Sequence, residues 1–467
     1  DNKPEWDTIP TVVKEDIFFA RATVPDLCAL ETVYKHPLRS EYTASEEDIN
    51  DAIHRIVPSE YKNTWQQLDN PLYAFKKIAK GPKIKKPKHI FFIVGESIPQ
   101  WSLDETHKLL NICPGLWDFK SQPNTVQIPN FLPAGNVSRP SIVSLMSGIY
   151  DAGLELNERE QFWNGSFPTS FAYQMKQLGY QTIYWYGGNA SYGNFNHFGK
   201  AQGFDRVESA SIFCGPDAPK TWVGVYDHIF LENIEQQIKA IDTPTFHFIY
   251  TTSNHSPYKI EDSLLDYDPA TVMPHVGEDL RSNKTRNKEL ATYRYSDKAL
   301  FSFVDSMKKA YPDSLFIITG DHSNLFGDLN NTSLIHRDYT LRDTFCTVAL
   351  LQHPDLDSNM ITTQKGTHMS LMPTIIEAIA PKGFEYYSIT PSLFDDQPET
   401  LVTPYQWITD SLMGDVRSDY GESNQPSAEP VTPIRPIDNH AKEARDWSLL
   451  TTWLINHEEK LFSKKDD

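Results

Sequence analysis

The sequence predicts a doubly wound α/β fold: a mostly parallel central sheet with helices on both faces. Two observations predict it. Short, continuous apolar runs recur along the chain, and amphipathic helical patterns lie between them. The runs are His89–Gly95, Thr182–Tyr186, Phe246–Tyr250, Leu315–Thr319 and Thr347–Leu351. Each has strand length and lacks polar alternation, as expected of strands covered on both faces.

The intervening helices have their own signals. Pro168–Leu178 ends at Gly179, a residue suited to a helix C-terminus. Phe230, Ile234, Ile238 and Ile241 share one helical face, as do Leu300, Val304 and Met307. In such a sheet, ligands gather at the carboxyl ends of the strands.

Three segments are expected along the 467 residues. Residues 1–88 read as an extension with short helices. It ends in the basic stretch Lys80-Gly-Pro-Lys-Ile-Lys-Lys-Pro-Lys88, read as a solvated linker. Residues 89–400 hold the strand and helix pattern. Residues 401–467 read as a C-terminal extension in which Ser423–Pro433 is a linker or surface loop. Trp447, Leu450 and Leu454 then resume helical spacing and predict a docking helix.

Bulk properties narrow the function. A formal net charge of -19 argues against nucleic-acid binding, which needs clustered Lys and Arg. The hydrophobic fraction of 39% fits a packed globule rather than a disordered chain. No apolar run reaches the roughly 18 residues that span a bilayer, and the first residue is Asp1, so a membrane tether or cleaved leader upstream is expected. Cys28, Cys113, Cys214 and Cys346 show no CxxC spacing. Cys346 lies in an apolar run and reads as a buried thiol.

Four polar groups sit where strands end or a helix begins. Glu96 follows the first apolar run directly, a natural place for a hard-metal ligand. Ser138 precedes Arg139 and Pro140, and proline suits a first helical turn. The serine therefore stands at a helix N-terminus, where free N–H groups attract anions. Helix capping is the commoner role for such a serine. Asp321 and His322 follow the run Leu315–Thr319, and a strand-to-loop turn can aim both at one cation. His255, in Ser253-Asn-His255-Ser-Pro257, follows the run Phe246–Tyr250 and could protonate a leaving group. His247, inside that run, reads as structural.

The order of these pieces resembles the alkaline phosphatase/sulfatase superfamily, and within it the lipoteichoic acid synthase group of phosphoglycerol transferases. The segment Ser138-Arg-Pro-Ser-Ile-Val-Ser-Leu-Met-Ser-Gly148 keeps most of the sulfatase nucleophile frame. Further matches are Tyr186-Gly-Gly-Asn189, Gly203-Phe-Asp205, Thr252–Pro257, Tyr295-Ser-Asp297, Gly320-Asp-His322 and Pro373-Thr374-Ile-Ile. The similarity runs from about His89 to Asp395.

The resemblance implies Ser138 as nucleophile and His255 as acid and base. It implies one divalent cation on Glu96, Ser138, Asp321 and His322, with Mn²⁺ favoured and Mg²⁺ or Zn²⁺ as alternatives. Arg139, Asn189 and His368 are the expected substrate contacts. It also implies a phospholipid donor such as phosphatidylglycerol, a glycan or lipid acceptor, and a place on the extracytoplasmic face of a bacterial membrane. The glycosylation acceptor Asn136-Val137-Ser138 agrees, since a glycan there would crowd the nucleophile.

Two departures refine this. Formylglycine-type sulfatases carry Arg four residues after the nucleophile, where this chain has Ile142, so sulfate-ester chemistry is disfavoured. The His, Trp and Arg that grip glycerol phosphate in lipoteichoic acid synthases correspond here to Tyr186, Gly193 and Phe195. Phosphoethanolamine transfer and phosphodiester hydrolysis are therefore alternatives. From another class, a catalytically silent envelope protein binding glycan or lipid is the rival.

Overall fold

The structure, a computed structural model, describes residues 44–267, 278–325, 335, 338–417, 421–426 and 440–461. Residues 1–43 of the expected extension, with Cys28, and residues 427–433 of the expected loop lie outside the described residues.

Seven strands form the central sheet. In chain order they are β1 (His89–Gly95), β2 (Thr125–Gln127), β3 (Gln181–Tyr186), β4 (Arg206–Ser209), β5 (Thr245–Tyr250), β6 (Leu315–Gly320) and β7 (Ala349–Gln352). Their spatial order is β2-β7-β6-β1-β5-β3-β4. β1 lies between β5 and β6, parallel to both, and β3 runs parallel to β5 and β4. Only β7 runs against the rest, pairing antiparallel with β6 and β2. The predicted architecture is the one observed.

Continuous apolar runs were the right signal because both faces are covered. Side chains alternate across a strand. Ile90, Phe92 and Val94 enter one core, and Phe91 and Ile93 enter the other. The helix Asp227–Lys239 buries Phe230, Leu231, Ile234 and Ile238, and the long helix Lys284–Ala310 buries Leu300, Val304 and Met307. Ile241 lies beyond the first of these helices. The helix Phe171–Gln177 ends as expected near Gly179, which takes φ 86°.

The structure differs from expectation in three places. β2 and β4 are short and partly exposed, so they carry no continuous apolar run. β7 starts at Ala349 rather than Thr347, because the Thr347 N–H goes to the Phe131 carbonyl and its hydroxyl to the Ile98 carbonyl. Between Leu401 and Ser423 the chain forms a four-stranded antiparallel meander whose two- to four-residue strands are too short for periodicity to reveal.

The expected docking helix spans His440–Asn456 and buries Trp447, Leu450 and Leu454. It packs with the helix Glu46–Ile56, which opens on a capping box between Ser45 and Asp48. Arg55 grips Asp446 through two bonds of 2.7 Å. In the basic stretch, Lys80, Lys85 and Lys88 pair at the surface with Asp395, Asp313 and Asp242. No helix among the described residues is long and apolar enough to cross a membrane.

Candidate active site

The parallel strands bring Glu96, after β1, beside Asp321 and His322, after β6. The registry pairs Gly95 with Gly320, so the residues that follow leave the sheet at one level. Glu96, Asp321 and His322 each place a ligand atom within 4.8 Å of the other two. Both carboxylates are buried.

Local backbone geometry aims them. Ser97 adopts φ 55°, which turns its N–H onto Asp321 Oδ1 at 2.7 Å, and its hydroxyl donates to Glu96 Oε1 at 2.8 Å. The His322 N–H also donates to Asp321 Oδ1, at 2.9 Å. His322 Nδ1 faces the Ser323 carbonyl at 2.7 Å, so that nitrogen carries hydrogen and Nε2 points into the cluster.

Ser138 completes the group. Its Oγ lies 3.3 Å from His322 Nε2 and 3.5 Å from Glu96 Oε2. It opens the helix Ser138–Ser147, while Val137 holds the N-cap position and no side chain caps the helix. The capping role is therefore absent, and the serine oxygen is left to the cluster. Pro140 lies in the first turn as expected.

Electrostatics favour a cation here. Burial pushes Glu96 up to about 8, with Asp321 adding to the effect and His322 opposing it. Burial would lower His322, but Asp321 and Glu96 outweigh it and raise its affinity for a proton. Two buried carboxylates, an imidazole nitrogen and a serine oxygen form a donor set that fits one divalent ion.

Glu96 and Ser138 also line a cavity of about 550 Å³. His255, Arg139 and Asn189 line it too, so five of the expected site residues meet there. The loop Thr252–His255 is tied down. Asp227 Oδ1 accepts the N–H groups of Thr252 and Ser253, each at 3.1 Å, and Asn254 Nδ2 donates to the Glu96 and Ser97 carbonyls. His255 Nδ1 bonds the Ser256 carbonyl at 2.6 Å, and Trp222 packs edge-on against the ring at 5.0 Å.

Arg139 is partly exposed. It pairs with Glu155 and Glu158 and lies over the Tyr192 ring at 5.5 Å. His368, the third expected substrate contact, does not line the cavity. It is buried behind the strand ends, with Nδ1 accepting from the Ala134 N–H at 3.1 Å and Nε2 bonding the Gly320 carbonyl at 2.9 Å. Burial lowers it to about 4, which fits a neutral ring with both nitrogens engaged. His247 is structural as expected: its Nε2 lies 3.1 Å from His89 Nδ1, and its Nδ1 accepts from Trp185 Nε1 at 3.2 Å.

Sequence reasoning missed Tyr250. Its hydroxyl lies 2.9 Å from Glu96 Oε2 and 2.9 Å from Asp321 Oδ2. As the last residue of an apolar strand it read as core; its place at the carboxyl end of a central strand was the available signal. The cavity wall of Tyr186, Tyr192, Phe195 and Trp222, with Lys220 and Lys259, was also unforeseen as a group.

Comparison with known proteins finds a family and several solved structures of similar fold. Residues 88–380 match the Sulfatase family. Over 152 residues, 32% of this chain, the sequence is 26% identical to "Lipoteichoic acid synthase-like YvgJ" of Bacillus subtilis; that stretch is 23% of the relative's length. Among solved structures, a protein in the alkaline phosphatase superfamily from Vibrio parahaemolyticus is similar with a TM-score of 0.65 and 18% identity, over 90% of this chain and 98% of that one. The lipoteichoic acid synthase LtaP of Listeria monocytogenes has a TM-score of 0.63 and 16% identity, over 90% and 99%. The C-terminal periplasmic domain of EcEptC from Escherichia coli follows at 0.53 and 17%, over 73% and 96%. At these identities the structural likeness is one of fold.

Proposed function

The chain belongs to the sulfatase family, and from that premise we propose that it is a metal-dependent phosphotransferase of the bacterial cell envelope. In this reading it moves a phosphoglycerol-type group from a phospholipid to a glycan or lipid acceptor. The observation that carries the reading is Ser138 Oγ, uncapped at a helix N-terminus, between His322 Nε2 and Glu96 on the cavity floor.

One divalent ion, Mn²⁺ in first place, would be held by Glu96, Asp321, His322 and Ser138, and would supply Lewis-acid activation of the serine and charge neutralisation at the phosphoryl oxygens. The Ser138 hydroxyl loses its proton to solvent and attacks phosphorus. The Oγ–P bond forms, the bond from phosphorus to the diacylglycerol oxygen breaks, and His255 protonates that oxygen. The acceptor hydroxyl then gives its proton to His255 and attacks phosphorus, and the Oγ–P bond breaks to restore Ser138. Helix N–H groups at Ser138 face the phosphoryl oxygens. Arg139 and Asn189 are the proposed contacts on the transferred group, and His368 positions the Gly320 turn from behind.

The similarity to proteins named as lipoteichoic acid synthases supports a site outside the cytoplasmic membrane, with the chain as the extracytoplasmic part of the enzyme. Residues 89–400 form the catalytic domain in this reading, and the family match over 88–380 supports it. Ile142, buried four residues after Ser138, argues against sulfate esters.

A second reading has one observation in its favour. Tyr186 and Phe195 stand where glycerol-phosphate ligands are expected, and with Tyr192 and Trp222 they line the cavity with aromatic faces. Such faces suit an ammonium group, so phosphoethanolamine is the alternative cargo.

Incubation with labelled phosphatidylglycerol or phosphatidylethanolamine, followed by mass spectrometry of the Ser138 peptide, tests both. A phosphoglycerol adduct is expected from the first lipid, and a phosphoethanolamine adduct from the second would move the assignment. Turnover without any adduct would sink the covalent route. A protein with neither metal nor turnover would be the silent binder.

A further inference from the structure

The Tyr250 hydroxyl has one hydrogen and two acceptors. It stands 2.9 Å from Glu96 Oε2 and 2.9 Å from Asp321 Oδ2, and it can donate to only one of them. The other contact sets a phenol lone pair against a buried carboxylate oxygen. Such crowding of oxygen on oxygen is unfavourable unless a proton or a cation is shared among them, and a bound divalent ion would take the place of that proton.

The spacing agrees with sharing. Bonds of about 2.1 Å to a hard divalent ion set neighbouring oxygen ligands about 3 Å apart in an octahedron. The phenol is also held in place independently of the carboxylates. Tyr250 is buried at the end of β5, and its ring stacks on Tyr186 with centroids 5.3 Å apart and planes 3° apart. Tyr186 in turn stacks on Tyr184 at 5.8 Å, so a column of three rings fixes the oxygen.

We propose that the Tyr250 hydroxyl oxygen is a further ligand of the divalent ion held by Glu96, Asp321, His322 and Ser138. The proposal rests on the metal-dependent reading above and deepens it. A phenol oxygen adds a hard donor to the set, which moves the preference from tetrahedral Zn²⁺ toward ions that accept five or six oxygen-rich ligands.

The test uses Fe³⁺ as a probe, because tyrosine bound to Fe³⁺ gives a visible charge-transfer band, together with calorimetric Mn²⁺ titration. The expected result is a band in wild type and in Tyr186→Phe, and none in Tyr250→Phe. Mn²⁺ binding is expected to weaken at least tenfold in Tyr250→Phe, on the order of the loss seen when a metal-site partner is removed. The wild-type spectrum requires no variant to fold, and circular dichroism checks Tyr250→Phe. If wild type binds Mn²⁺ and Asp321→Ala does not, yet no band appears, the ligand assignment is overturned while the metal-dependent reading stands. Equal Mn²⁺ affinity in wild type and Tyr250→Phe overturns it as well. A wild type that binds no Mn²⁺ overturns both.

Discussion

Ser138 Oγ and His322 Nε2 lie 3.3 Å apart, with the far side of the imidazole fixed by the Ser323 carbonyl. The serine is thus held by a ring that cannot turn away. Replacing Ser138 with Ala should leave the fold intact and reduce phosphodiester turnover by about 10³-fold or more, the scale seen when a nucleophile is removed. Steady-state kinetics on a generic phosphodiester, with circular dichroism as control, would check this.

Two buried carboxylates within 4.8 Å of one another should make stability depend on the ion. At about 100 times its dissociation constant, Mn²⁺ should stabilise the fold by about 2.7 kcal/mol. Thermal melts with and without Mn²⁺ would show a rise in Tm for wild type and none for Asp321→Ala. An equal rise in the variant would place the ion elsewhere.

Asp227 acts on the site through the main chain of Thr252 and Ser253. Asp227→Ala should cost about 1–3 kcal/mol, because it leaves buried N–H groups without acceptors. It should also slow turnover by loosening the loop that carries His255, while Mn²⁺ affinity stays unchanged. Urea unfolding, kinetics and calorimetry on one variant separate these effects.

Acid should destabilise the protein from within the sheet. Burial lowers His89 to about 4 and holds His247 well below the usual histidine range. Both rings take up protons on unfolding near the ordinary value of about 6.5 but resist them when folded. Stability is therefore full above about pH 6.5 and falls as pH drops toward 4. Tm measured from pH 7.5 to 4.5 should decline over that window, and less steeply in His247→Gln.

The pairing of Arg55 with Asp446 joins the helices near the two ends of the described chain. Arg55→Ala leaves Asp446 buried without its partner and should cost about 1–3 kcal/mol. A chemical denaturation curve that does not shift would contradict this.

The central strands were legible because full burial on both faces writes itself as unbroken apolar runs. Edge strands β2 and β4 were not, because partial exposure leaves no such mark. Within the site, Glu96, Ser138, Asp321 and His322 were readable from their positions after strands or at a helix start. Tyr250 was not, since apolar burial and carboxylate contact come from opposite ends of one side chain. The position of His368 was not legible for a related reason: a histidine's place in sequence order gives no sign of which way its ring faces. Tyr295-Ser-Asp297, one of the matching segments, supports the backbone beneath the site. Asp297 accepts the Gly115 and Leu116 N–H groups at the start of the helix Pro114–Ser121.

Ser97 has a left-handed backbone, a conformation that costs a non-glycine residue on the order of 1 kcal/mol. That small strain turns one amide toward Asp321 and one hydroxyl toward Glu96. Transplanting the two acids and the imidazole onto another scaffold would thus carry the donors without the bend that directs them. A graft lacking that bend would start from misaimed carboxylates, however faithfully it copied the side chains.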